Sequence, residues 1–260
     1  AFRVLTVGTD CNVGKMTTTL EVRAELERRG VACGFGATGQ TGILIEGRGV
    51  AVDAVVADFV AGAAEVVTLE AAGEIPPRTG PFAAERGTGL TRAAPDVSAE
   101  TSLDDRGPGA APGRAGGGRE ESVSAETSPD RGGGIGDREG GSTGAAALPR
   151  PDVVLVEGQG SLLHPGYSGV TLGLVHGVMP QAMILCWMPS RETIYSGRYD
   201  WVEIPPLEEV VRRYEDASGW IRPPEPSRVV GISATTYDLP EAEARGAVER
   251  ARESTGLPVT

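Results

Sequence analysis

The stretch Val7-Gly8-Thr9-Asp10-Cys11-Asn12-Val13-Gly14-Lys15-Met16-Thr17 follows a short apolar run at 2–7, and its reading decides the fold. The run predicts a buried strand, Gly8 and Gly14 bracket a turn, and Lys15 opens a helix. Counted from Thr9, the spacing approximates the P-loop, in which backbone N–H groups and a lysine wrap a polyphosphate. Two positions depart from that motif: Thr9 stands where glycine is usual, and Met16 where a Ser or Thr hydroxyl follows the lysine. Lys15 is the only lysine among 24 basic residues. A surface lysine is the plain alternative, but the strand–turn–helix context favours a phosphate ligand. The expected phosphate-binding set is Gly8, Thr9, Asp10, Asn12, Val13, Gly14, Lys15, Met16 and Thr17.

Met16 bears on mechanism. The hydroxyl it replaces is ordinarily a direct Mg²⁺ ligand, and a thioether does not serve a hard, oxygen-seeking cation. Thr17 lies about 100° further round the helix and substitutes for it imperfectly. No metal is therefore expected, although Asp10, Thr17 and Glu157 form an alternative Mg²⁺ set. A diphosphate could still be bound without chemistry on it.

At 260 residues the chain can bury the core of one large α/β domain or of two small ones. A formal charge of −12 argues against a nucleic-acid surface, which requires basic patches. Cys11, Cys33 and Cys186 show no metal-like spacing, and their odd number suggests reduced thiols and a cytoplasmic setting. No apolar run approaches 18 residues, so no membrane partner is expected. The chain starts at Ala1 directly on a predicted strand and stops at Thr260, and both ends are expected to be cuts.

Read in order, 15–29 is a predicted helix closed by Gly30, and 31–38 a second strand. The small polar stretch 38–42 reads as a turn at that strand's carboxyl end, where open α/β sheets hold ligands. This makes Gln40 and Thr41 candidate substrate contacts; a plain glycine turn is the alternative. A helix is expected over 52–72, with Asp53 as its cap or as a ligand contact. From 75 to 149 the chain is rich in Gly, Ser, Pro and charge, with Phe82 its only aromatic residue. Such a segment cannot offset its ordering entropy, so a disordered insertion is expected between the two parts of the domain, 1–74 and 150–260.

The run 153–156 predicts a buried parallel strand that delivers Glu157 to the sheet's carboxyl edge. Strands at 183–188 and 228–233 and helices at 206–214 and 241–254 complete an alternating pattern. The fold class is α/β: a P-loop NTPase-like parallel sheet with helices on both faces. Glu157 is either an idle strand-end acid or a general base or metal ligand. His164, in the polar loop after it, is a candidate for proton transfer or simply a hydrogen-bonding loop residue. Arg191 and Arg198 could clamp a carboxylate.

The pair Gly8-Thr9-Asp10 … Val13-Gly14-Lys15 and Val156-Glu157-Gly158 resembles dethiobiotin synthetase and its P-loop relatives. Three longer strings, TVGTDCNVGKMTTTLE, ATGQTGILIEGRGVAVDAVVADFVAGAAE and VEGQGSLLHPGYSGVTLGLVHG, resemble a family long catalogued as a domain of unknown function. That family includes D-glutamate N-acetyltransferases of the DgcN type. Met16 belongs to its pattern. The resemblance implies transfer of acetyl from acetyl-CoA to the amine of a D-amino acid, and an N-terminal α/β domain that this chain lacks.

On that reading Lys15 and the P-loop hold the diphosphate of coenzyme A, and Glu157 or His164 takes the ammonium proton. Gln40, Thr41, Gln159, Ser161, Tyr167 and Ser168 position the substrate, and Arg191 or Arg198 binds its carboxylates. The expected partners are a small amino-acid substrate and a second copy of the chain in a homo-oligomer. Two rivals remain open: an ATP- and Mg-dependent ligase or kinase, and a non-catalytic nucleotide-binding module.

Overall fold

Parallel strands that are apolar on both faces need helices above and below them. A computed structural model describes residues 1–77, 150–195, 197–221 and 227–260. The expected insertion lies outside the described residues apart from 75–77. Five parallel strands, β1 (Phe2–Gly8), β2 (Cys33–Gly36), β3 (Val153–Val156), β4 (Ala182–Trp187) and β5 (Arg228–Ala234), form one sheet in the order β2-β3-β1-β4-β5. Six helices accompany them among the described residues: α1 (Lys15–Arg28), α2 (Gln40–Glu46), α3 (Val60–Ala71), α4 (Ser168–Val178), α5 (Leu207–Gly219) and α6 (Glu241–Thr255).

Alternation along β1 divides the core. Val4 joins Phe35, Leu155 and Ala182 on one face, with Leu20 and Leu26 of α1 packed against them. Leu5 and Val7 join Val154, Val156, Met183 and Leu185 on the other, under Val60 and Ala64 of α3, Leu174 and Val178 of α4, and Val210 and Tyr214 of α5. In this sheet Leu5 pairs with Val156 and Gly8 with Cys186. The carboxyl ends of β1 and β3 therefore lie side by side, at the point where the strand order reverses.

Three local expectations are corrected. The stretch 38–42 is not a free turn: Gly39, in extended conformation, launches α2 at Gln40. The expected helix over 52–72 is two 3₁₀ turns followed by α3. Asp53 is exposed and makes no capping bond. Finally, the polar loop after Glu157, read over 161–169, ends at Tyr167, because Ser168 already begins α4.

Helix α4 was hidden by glycine, the weakest helix former after proline. The same glycines explain its packing: a Cβ at Gly177 would lie 2.1 Å from the Ala61 carbonyl oxygen of α3. No helix among the described residues is long and apolar enough to cross a membrane.

Gly177→Ala is expected to lower stability by about 1–3 kcal/mol, the cost of overpacking a close contact. Gly169→Ala, on the same helix with nothing within 4 Å of its added Cβ, should be neutral or mildly stabilising. Urea denaturation of the two variants checks the contrast.

Candidate functional site: a phosphate cradle and a buried carboxylate

The backbone between β1 and α1 takes two left-handed residues, Asn12 (φ 52°) and Gly14 (φ 92°). At Gly14 a side chain is excluded twice over, by that φ and by Thr235 Oγ1, 2.7 Å from where a Cβ would stand. The turn is held from outside. Every carbonyl from Gly8 to Val13 meets a side-chain donor. Tyr214 Oη donates to Gly8 O at 2.7 Å and Ser161 Oγ to Thr9 O at 3.0 Å. Lys15 Nζ donates to Asp10 O at 2.7 Å, and Arg191 to Cys11 O at 2.7 Å and Asn12 O at 3.5 Å. Thr235 Oγ1 donates to Val13 O at 3.0 Å.

With these carbonyls committed, the backbone of the turn is held in one conformation. The first N–H groups of α1, at Lys15, Met16 and Thr17, have no helical acceptor of their own. Together with the helix dipole they present positive charge to whatever enters there, the arrangement that favours an anion.

The cleft in front of this turn measures about 350 Å³ and is lined by Cys11, Asn12, Gly14, Lys15, Met16 and Thr17 on one side. Gly39, Gln40, Thr41 and residues Glu157 to Gly160 line the other. Its size suits a small anionic group. Of the sequence candidates, Gln40, Thr41, Glu157 and Gln159 therefore share one cavity with the phosphate turn.

Glu157 is fixed in detail. Oε2 accepts N–H groups from Thr38 (3.3 Å) and Gly39 (3.2 Å), and Oε1 accepts from Gln159 Nε2 (3.1 Å). Thr38 Oγ1 ties the Glu157 carbonyl at 2.6 Å. Only glycine fits at 42, because a Cβ there would fall 2.2 Å from Oε2. Burial pushes the Glu157 carboxyl above the usual carboxylate range, opposed by the N–H donors and by Lys15. Burial also lowers the Lys15 ammonium, opposed by Cys186, Cys11, Asp10 and Glu157. The charged forms of both groups are thus disfavoured by burial, and both groups line the same cleft.

Other candidates sit elsewhere. His164 is buried and does not line the cleft. Its Nδ1 accepts the Gly166 N–H at 3.0 Å, and its ring packs on Tyr167 and Tyr199 at 4.6 and 5.3 Å. Ser161 is buried against the turn, Tyr167 stacks on His164, and Ser168 opens α4. Arg198 is exposed, 6.0 Å from the Tyr199 ring centre. Arg191 is engaged with the P-loop rather than offered to the cleft: Nη1 bonds Asp10 Oδ2 at 3.1 Å.

Asp10, Cys11 and His164 bring ligand-type atoms within 4.8 Å of one another. The donor set does not suit a cation. Because His164 Nδ1 accepts an N–H, the neutral ring carries its proton on Nε2 and has no lone pair there to offer. The Asp10 carboxylate already holds a guanidinium and the Tyr195 N–H at 2.9 Å. Of the alternative Mg²⁺ set with Thr17 and Glu157, Asp10 thus has a guanidinium and two backbone N–H groups on its carboxylate, and it does not line the cleft that Thr17 and Glu157 share.

Sequence reading missed Cys11, which lies inside the motif and on the cleft, and Gly39, whose turn chemistry pointed there. It also missed Tyr214 and Thr235, for which no local signal exists: one reads as an apolar helix residue, the other as a strand end.

A glycine–lysine turn at the end of a central parallel strand, with an acid-tipped neighbour, defines an α/β phosphate-binding domain of the P-loop kind. The chain belongs to the DUF1611 family: residues 1–76 and 139–260 match its C-terminal P-loop domain, a domain of unknown function. Two similar curated proteins are D-glutamate N-acetyltransferases. The one from Tritonibacter scottomollicae is 34% identical over 98% of this chain and 53% of that protein. The one from a Pseudoalteromonas species is 29% identical over the same shares. A crystal structure of a DUF1611 family protein from Anabaena variabilis is similar with a TM-score of 0.66 and 31% identity. It is matched over 100% of this chain and 53% of that one. The chain thus spans about half the length of the curated relatives it matches.

Burial holds the Cys186 thiol up at about 11, whereas Cys11 is half-buried on the cleft wall. Iodoacetamide at pH 8 is expected to leave Cys186 unmodified in the native protein and to label Cys11 slowly. Added pyrophosphate should protect Cys11, with peptide mass spectrometry as the readout.

Proposed function

We propose that this chain is the phosphate-binding and proton-accepting part of an N-acetyltransferase, which moves acetyl from acetyl-CoA to the amine of a D-amino acid. D-glutamate is the first candidate, because two similar proteins are named for that acceptor. The observation that carries the reading is a cleft that joins the α1 N-terminus and Lys15 to the Glu157 carboxylate without a hydroxyl at Met16 to hold Mg²⁺.

In this scheme the P-loop N–H groups and Lys15 hold the diphosphate of coenzyme A. Glu157 takes a proton from the ammonium group, which frees the lone pair to attack the thioester carbonyl. When the tetrahedral intermediate collapses, the C–S bond breaks, the nitrogen gives up its second proton to solvent, and the departing thiolate takes back the proton that Glu157 accepted. Gln40, Thr41 and Gln159, on the same cleft, orient the acceptor and donate to the developing oxyanion. Glu157 and Lys15 share one cavity, so a thioester would have to reach Glu157 from the same cleft that would hold the diphosphate.

A ligase or kinase would need Asp10, Thr17 and Glu157 to gather Mg²⁺. The engagement of Asp10 with Arg191 and the Tyr195 N–H supports the acetyltransferase reading over that one.

Incubation with acetyl-CoA and a panel of D-amino acids should release free thiol, fastest with D-glutamate; no release with any acceptor contradicts the proposal. Glu157→Gln is expected to lower kcat by about 10²–10⁴-fold. The carboxyl must be ionised to accept a proton, and burial raises its pKa. The rate should therefore fall as pH drops through a value above the usual carboxylate range. The glutamine variant should lack that acid limb in its pH profile.

A further inference from the structure

Arg191 stands outside the cleft yet touches the phosphate turn at three successive residues. Nη1 bonds the Asp10 carboxylate at 3.1 Å and the Cys11 carbonyl at 2.7 Å, and Nη2 reaches the Asn12 carbonyl at 3.5 Å. Its guanidinium lies 5.0 Å from the Tyr195 ring centre, and the Tyr195 N–H adds a second bond to Asp10 Oδ2 at 2.9 Å. Asp10 Oδ1 closes the set by accepting the Cys11 N–H at 2.7 Å. Asp10 is fully buried, and a carboxylate in that position needs both a counter-charge and saturated lone pairs.

Two consequences follow from elementary electrostatics. The turn's carbonyl oxygens carry negative partial charge, and if they rotated inward they would face the phosphate. An unpaired Asp10 would also place a full negative charge behind the anion site. The planar fork of an arginine answers both at once, which a lysine's single point of charge cannot.

We propose that Arg191 is a positioning residue of the phosphate cradle. It locks the Cys11 and Asn12 carbonyls outward and neutralises Asp10, and so sets the affinity for the phosphate-bearing substrate rather than binding the amino-acid acceptor. The assignment rests on the acetyltransferase reading only in naming that substrate as acetyl-CoA. Anion binding itself tests it independently of any turnover.

The experiment compares the wild type with Arg191→Met, Arg191→Lys and the double variant Arg191→Met/Asp10→Asn. It measures pyrophosphate affinity by calorimetry, the KM for acetyl-CoA and for D-glutamate, kcat, and thermal stability. Arg191→Met should weaken pyrophosphate binding tenfold or more and raise the acetyl-CoA KM in parallel, with the D-glutamate KM unchanged. Arg191→Lys should recover only part of the loss. The double variant should bind pyrophosphate more tightly than Arg191→Met alone, because the unpaired carboxylate is gone. A rise confined to the D-glutamate KM, with pyrophosphate affinity intact, overturns the assignment in favour of an acceptor clamp. A drop in stability with unchanged pyrophosphate affinity in Arg191→Lys overturns it in favour of a merely structural role. Should the wild type show no acetyl transfer, the acetyltransferase reading fails while the pyrophosphate arm still decides the role of Arg191.

Discussion

Six consecutive peptide carbonyls, from Gly8 to Val13, are each engaged by a side chain: five by residues that stand outside the cleft, and that of Asp10 by Lys15 on its wall. A loop of this shape has no regular hydrogen-bond ladder of its own, and buried carbonyls left without donors would cost about 1–3 kcal/mol each. The donors come from α1, from the segments after β3, β4 and β5, and from α5. The sheet order places all of these at the carboxyl end of β1. The fold is therefore what makes the turn rigid, and the rigid turn fixes the first N–H groups of α1, which have no helical acceptor, at the edge of the cleft.

The same arrangement explains the charged groups buried at the site. Lys15 and Glu157 both have their charged forms disfavoured by burial, and each is retained by specific partners: the Asp10 carbonyl for one, three N–H donors for the other. Such groups lower stability and are kept where function requires them. Their neighbours are small for the same reason. Gly42 is required by the Glu157 carboxylate, and Gly14 by the close approach of Thr235.

Much of this could be read from residues alone, because the signals were local. The apolar run before Gly8, the glycine–lysine pair and the strand ending at Glu157 placed the P-loop and its neighbouring acid correctly. The α5 face of Leu207, Val210 and Tyr214 was legible as helix. What was not legible depends on partners distant in sequence. Glycines at 173 and 177 argue against a helix until α3 is seen packed against them. His164, one of the chain's two histidines, lies in a polar loop that invited a catalytic role; that its Nδ1 accepts a backbone N–H and that it lies outside the cleft are visible only in the folded chain. Arg191 read as one arginine among many, and only the folded chain brings it to Asp10, 181 residues away.

In the proposed scheme this cradle binds a phosphate-bearing substrate through backbone, helix dipole and Lys15, without a metal ion. Calorimetry of coenzyme A and of ATP, each with Mg²⁺ and with a chelator in its place, tests it most directly. Coenzyme A is expected to bind with equal strength in both conditions, and ATP to gain nothing when Mg²⁺ is added. Binding of ATP that requires Mg²⁺, with none of coenzyme A, would contradict the scheme.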